Sequence, residues 1–521
     1  MIPKKFDEYW RAACKIVLKE DIGAIGIYEP WLNEITDPKM IKESSVSKKG
    51  VVYTEVDYSA GSKWLSLSEV DYGKQYPKAD LSGCNSIESL LEKIRGCIFY
   101  AGDIVLGKSQ DIHLCCTVLD CTSLYDCHRF VGSKNCAFGY YAIKCEDVFG
   151  VSATGESKLQ IRCGESTWNK RCFETWMCQS CSDCYYSFGL KNCIECMFCF
   201  NLQNRKYCIG NKQYGKEKYL TIKSRILSEV AEKLKKNKKI ESLIDIIKKS
   251  KKEPIKLDIN KREITYSFDK RIPDADFSKC CKIVLGKSLG GSIDDYGEWL
   301  NLHVQPTIDC FSAFSKKKMH LATYGVYKRL PLDRLLTTAE ALAHADQVSA
   351  NLEGAEFDKI HEHLGAIAYL NAELIDGDNM NIGECSVIQH ATNAYRTSAA
   401  VYCKDVAFSF WPRHSSFMFG CDSIHTSSYC INCYNSQRLT RCFELDGCSD
   451  CSDCLFCHNV ENCSDCMFCF NVKAKRYSIG NVEYQKDEYL RIKSLVLGEV
   501  SNKLEKNKKL DISIFNIGAK K

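Results

Sequence analysis

The apolar positions of this 521-residue chain follow neither of the two common periods over much of its length. Between Cys115 and Cys208, and again between Cys385 and Cys469, lie 28 cysteines, and all but Cys116 share one three-residue phase. Many intervening positions of that phase are small or apolar, as in Val118, Leu124, Phe130, Ala142, Val148, Val151 and Thr154, then Ile388, Ala391, Ala394, Ala400, Val406 and Ile424. A strand repeats its faces every two residues and a helix every 3.6, so the chain must turn between successive inward residues. Short strands joined by tight corners meet that demand and predict a narrow β-solenoid. A second period sets the coil: Cys184–Cys193 realigns on Cys196 onward at twelve residues, as Cys454–Cys457 does on Cys466–Cys469. About twelve residues per coil give four inward positions, stacked at the ~4.8 Å spacing of strands. The outward positions then predict an aromatic ladder at Tyr186 and Phe198, another at Phe456 and Phe468, and an amide ladder at Asn192 and Asn204.

The pattern occurs twice. From about Cys163 to Lys509 the chain matches itself without gaps at an offset of 270 residues. Arg171-Cys172-Phe173-Glu174 matches Arg441-Cys442-Phe443-Glu444, and Cys178, Cys181 and Cys184 match Cys448, Cys451 and Cys454. After each cysteine-rich body the period becomes helical, with Ile222, Ile226, Val230 and Leu234 answered by Ile492, Val496, Val500 and Leu504. These helices are expected to cap the solenoids. The expected fold is mainly β: two cysteine-lined solenoids, each followed by a capping α-helix, with helical additions in the second half. The divisions are a mixed N-terminal region at 1–96, a first solenoid at 97–211 and a basic helical tail at 212–253. There follow a linker and mixed helical region at 254–381, a second solenoid at 382–481 and a second tail at 482–521. In the mixed region Leu335, Leu336, Ala339 and Leu342, then Phe357, Ile360, Leu364 and Ile367, suggest helices.

Composition narrows the setting. Lysine plus arginine (71) barely exceeds aspartate plus glutamate (66), so no general polyanion-binding character is expected and nucleic acid is not the expected partner. The N-terminal sequence has scattered charges and no apolar core of signal-peptide length, and no stretch reaches 18 apolar residues. A cytoplasmic, non-membrane protein is the expectation. In a reducing compartment the 34 cysteines need an explanation other than disulfides.

The string Asn192-Cys193-x-x-Cys196-x-x-Cys199-x-Asn201-Leu202, with Lys206-Tyr207-Cys208-Ile209-x-Asn211-Lys212-Gln213-Tyr214-x-Lys216-Glu217-x-Tyr219, resembles a family of large cysteine-rich proteins. These occur in bacteriophages and small-genome bacteria, are often labelled "caib/baif family", and typically carry the string twice. The resemblance covers the two cysteine-rich bodies and their tails, about half the chain, and it implies a virion or assembly component without implying an activity. Members often begin with CxxC zinc-ribbon pairs, whereas here only Cys14 and Cys84 precede Cys97, so no zinc ribbon is carried over.

Three chemistries compete with plain packing. Zinc is the first, since Cys193, Cys196 and Cys199, Cys448, Cys451 and Cys454, and Cys463, Cys466 and Cys469 all have CxxC spacing. Against it, Cys208 corresponds to Ser478, Ser187 to Cys457 and Thr175 to Leu445, exchanges that packing tolerates and a zinc ligand does not. The second is nucleotide binding, since Gly102–Ser109 satisfies GxxxxGKS by letter, although its middle reads as a strand and cysteine coils follow where a helix is required. A reactive thiol is the third, with Arg162, Arg171 and Arg441 each preceding a cysteine. His344, His361 and His363 lie in helical patterns and read as helix polar positions, and the lysine-rich tails read as solvated helix ends. The expectation is a non-enzymatic scaffold or interaction protein with no catalytic residues and no cofactor. Its partners are expected to be proteins, with self-association through solenoid faces or ends, and a zinc-binding protein is the alternative.

Overall fold

The computed structural model describes every residue except 1, 37–38, 54–57, 141–142, 147, 152–155, 165–170, 175–181, 260–265, 372 and 520–521. Strand slightly exceeds helix, 31% against 29%, so the chain is mainly β only by a small margin. It divides into two compact units, neither continuous in sequence. One comprises residues 1–38, 105–264 and 309–374, and the other 39–104, 265–308 and 375–521.

Parallel strands with a twelve-residue register dominate both. In the second unit Met380 pairs with Thr392, Thr392 with Lys404, Lys404 with Ser416, and Ser416 with Ser428. The same step recurs at Ser464 with Arg476. In the first unit Gln110 pairs with Thr122 and Thr122 with Lys134, and Ser182 with Ile194 and Ile194 with Lys206. At the start of both series the step is thirteen, Val105 to Val118 and Ile375 to Ile388.

The period of three has a backbone cause. From Asn381 to Gly480 every third residue has positive φ, between +44° and +64°, and the inward residue follows it directly. An L-residue there ordinarily costs about 1 kcal/mol or more, which is why Asn, Asp and Gly recur at these corners. The bulky Val387, Phe408 and Trp411 are held there too. Hydrogen bonding between neighbouring strands offsets that cost: Thr392 N donates to Cys403 O at 3.0 Å, and the corner residue Tyr402 donates to Gln389 O at 3.0 Å.

The inward residues form continuous buried columns. In the second unit one cluster runs from Ile382 through the cysteines to Val472, while in the first, one cluster spans Cys115 to Val151 and another Cys184 to Cys208. Val118, Leu124, Phe130, Val148 and Val151 are buried as the grid predicts. Ala142, Thr154, Thr175, Cys178 and Cys181 lie outside the described residues.

Each series ends in a short antiparallel pair and a 22-residue helix, Lys216–Asn237 or Lys486–Asn507. The apolar faces read from the sequence are the buried ones, and Tyr219 and Tyr489 pack on Tyr207 and Tyr477 of the last parallel strand, both at 5.6 Å. Leu335 and Leu336 are a short strand rather than helix, because Thr337 caps the helix Thr338–Gln347, and Phe357–His363 is a tighter 3-10 segment. Among the described residues no helix is long and apolar enough to cross a membrane.

Candidate functional site

The thiol columns are the feature with the greatest chemical potential, and their hydrogen bonds run to the backbone around them. All described cysteines are buried free thiols. In the parallel series nearly every inward thiol donates to the carbonyl two residues before it: Cys199 to Met197 O at 3.3 Å, Cys457 to Leu455 O at 3.3 Å, Cys469 to Met467 O at 3.4 Å. Many reach a second carbonyl nine residues ahead, as Cys193 does with Leu202 O at 3.3 Å and Cys448 with Cys457 O at 3.5 Å. Backbone carbonyls two residues before and nine residues after an inward position therefore lie within reach of its side chain. A small side chain with a weak donor fits the space and contacts those carbonyls.

Hydroxyls fill the same role. Ser409 donates to Ala407 O at 3.0 Å and accepts the Cys421 N–H at 3.2 Å. Ser187, which stands where the second copy has Cys457, donates to Tyr185 O at 2.9 Å and accepts the Cys199 N–H at 3.1 Å. Ser478 donates to Arg476 O at 3.3 Å, and its counterpart Cys208 to Lys206 O at 3.6 Å. The serine–cysteine exchange visible in the sequence is an exchange of donors to one kind of acceptor.

The nine zinc candidates, Cys193, Cys196, Cys199, Cys448, Cys451, Cys454, Cys463, Cys466 and Cys469, all lie in these columns. Among the described residues no group of three or more His, Cys, Asp or Glu side chains is placed to hold a metal ion. Burial pushes most of the thiols up, Cys403 to about 11 and Cys442 to about 12. Two depart from this. Thiol hydrogen bonds from Cys184, Cys193, Cys199 and Cys208 lower Cys196. At Cys469 burial acts upward, but hydrogen bonds from Cys457 and Cys466 bring the thiol down to about 6. These two cysteines do not correspond between the copies, since 196 pairs with 466 and 199 with 469 at the 270 offset.

Other candidates resolve into structure. Gly102 ends one strand and Val105–Leu106 forms the next; Lys108 N donates to Asp120 at 2.8 Å, a strand follows at Gln110–His113, and Ile104 and Val105 belong to different units. No helix N-terminus is present to hold a phosphate. His344 is buried against Tyr369 at 5.2 Å and burial lowers its pKa, while His361 and His363 lie in the 3-10 segment. The lysine tails make ion pairs: Lys233 with Asp358, Lys235 with Glu20, and Lys503 with Glu499 at 2.8 Å.

The predicted ladders form, with one difference. Tyr186 stacks on Phe198 at 5.1 Å and Phe456 on Phe468 at 5.0 Å, and Asn192 donates to Asn204 at 3.4 Å. The aromatic ladders are not displayed, since all four rings are buried; Phe357 covers the first pair. A long-range contact of that kind has no local signal. An exposed ladder that sequence reading missed is His390, Tyr402 and His414, stacked at 4.8 and 5.1 Å.

Sequence reading also missed a buried polar cluster in the second unit. Tyr58 donates to Asp446, His458 Nδ1 lies 3.0 Å from Asp446, and Ala101 N donates to His458 Nε2 at 2.9 Å. A Tyr–Asp–His constellation can serve acid–base chemistry, but here both ring nitrogens are occupied and the histidine is buried. Asn211 and Asn481 explain the end of the repeated motif. Each accepts the backbone N–H of Phe200 or Phe470 at 2.8 Å and donates to the same residue's carbonyl, supplying the partner that a further strand would give. Comparison with family models, curated proteins and solved structures finds no match to this chain.

Proposed function

We propose that the two parallel series are narrow β-solenoids of twelve residues per coil and that the protein is a non-enzymatic scaffold or protein-interaction component. The observation that carries this reading is the use of the inward cysteines: thiol and hydroxyl interchange as donors to the same i−2 carbonyls in both copies. A buried thiol in such a column is shielded from reagents in solution. The outward positions carry ladders and buried contact surfaces, which is what a rigid spacer or docking rod requires. A virion or assembly role follows only from the family resemblance and is proposed on that ground.

The zinc reading rests on the CxxC spacing of Cys193, Cys196 and Cys199. Two measurements on the purified full chain separate the readings. Alkylation of the native protein should leave the column thiols unmodified until denaturant is added, and metal analysis should show no stoichiometric zinc. Stoichiometric zinc, with unfolding on chelation, would replace packed thiols by a metal-held scaffold. Selective alkylation of one or two column cysteines in the native state would favour a thiol enzyme instead.

A further inference from the structure

The two compact units are not the two repeats. Call residues 39–104 and 309–374 the heads; the first head belongs to the unit that holds the second parallel series, and the second head to the unit that holds the first. The heads are built alike. Each has a two-stranded hairpin, Met40–Tyr53 in one and Thr307–Ala322 around the start of the other. Each also has a strand pairing in parallel with the strand that precedes the coils, Trp64 with Tyr100 and Leu335 with Leu370.

Equivalent head residues meet equivalent residues of the opposite repeat. Asn201 donates to Tyr369 O at 2.7 Å, and Asn471 donates to Phe99 O at 2.8 Å. Phe357 N donates to Glu229 at 2.7 Å, and Ile87 N donates to Glu499 at 2.8 Å. The members of each set, 99 and 369, 201 and 471, 87 and 357, 229 and 499, are all 270 apart. Both docking surfaces also demand glycine. A Cβ on Gly210, at φ +60°, would lie 2.7 Å from Ala350 O, and one on Gly480, at φ +56°, 2.6 Å from Ile94 Cγ2. The second head also supplies Phe357, the ring that covers the Tyr186–Phe198 ladder.

We infer that the end of each parallel series, around Asn201-Gly210-Glu229 and Asn471-Gly480-Glu499, is a docking site for the head of another repeat, and that this chain is a fused pair whose repeats exchange heads. The partner class of this surface is therefore a second copy of the same repeat. One repeat alone is incomplete: the surface that its last coils present is not covered by its own head. Exchange of an identical element is a direct route from one folded repeat to a pair.

A nick made after folding tests this in the full chain. A site-specific protease sequence inserted between Ile259 and Asn260 allows the folded protein to be cut into halves, which are then treated with a zero-length carbodiimide coupling lysine amines to carboxylates. The halves should remain in one species at the full-chain elution volume. Coupling should restore a full-length band in denaturant, with Lys233 joined to Asp358 across the cut. Position 88, the counterpart of 358, is also acidic, so a head docked on its own repeat would join Lys233 to Glu88 within the first half. That link overturns the inference, as does separation of the halves under native conditions. Absence of the Lys233–Asp358 link, where the Lys223–Glu195 pair in the same sample has coupled, overturns it as well.

Discussion

Glu174 and Glu444 occupy the same place in the two repeats, and one neighbour of each differs in charge. Both are buried, and each accepts a backbone N–H from the segment after the long helix, Leu243 N at 3.2 Å and Ile514 N at 2.9 Å. Beside Glu174 stands Arg162, 3.8 Å away, whereas its counterpart Asn432 donates to Glu444 at 3.0 Å. With an amide in place of a guanidinium, burial pushes Glu444 up to about 7 from an ordinary 4.5. The two sites therefore place a guanidinium beside one buried glutamate and an amide beside the other, while the backbone N–H donor is kept. Column positions behave alike, with serine and cysteine exchanging while their acceptor stays.

The largest expected effect comes from Glu444. Its folded-state pKa is raised, so its contribution to stability is full below about pH 4.5 and is lost as pH rises through about 7. The difference corresponds to about 3 kcal/mol. Thermal unfolding of the wild-type protein and of Glu444→Gln, compared across pH 4.5 to 8, should differ by that loss, because Cys469 and His425, which slope the opposite way, are common to both; an unchanged pH slope in the variant would show that Glu444 is not raised. Asp276, raised to about 6 by burial and by Asp405, slopes the same way and is left intact in that variant.

Next in size is the end closure. Asn481→Leu leaves the buried N–H and C=O of Phe470 without partners and should cost about 2 kcal/mol, as Asn211→Leu should at Phe200, measured by urea unfolding. Equal losses would sharpen the equivalence of the two ends. At the columns, Cys457→Ser copies Ser187 and should change stability by less than about 1 kcal/mol. Cys457→Ala removes the donor to Leu455 O and should cost about 1 kcal/mol more than the serine variant. A serine variant as damaged as the alanine one would mean that thiol size, not donation, matters. Smallest is Arg441→Ala, which removes a pair with Asp453 at 2.6 Å on partly exposed side chains; it should cost at most about 0.5 kcal/mol and vanish at high salt.

The sequence by itself determined everything that repeats locally. A three-residue inward grid and a twelve-residue strand register could be read from Cys184 to Cys208 and from Cys385 to Cys469, because each positive-φ residue imposes the same demand on the residue that follows it. The long helices and the duplication were equally plain, since their periods are written into adjacent residues. The buried fate of the Tyr186–Phe198 ladder, the closed Tyr58–Asp446–His458 cluster and the pairing of Asn201 with residue 369 rather than 99 were decided only by tertiary structure. Both heads offer the same kind of backbone carbonyl at those positions, so local chemistry cannot choose between them. That choice depends on which segments the folded chain brings together, and contacts between residues more than a hundred positions apart leave no period to read.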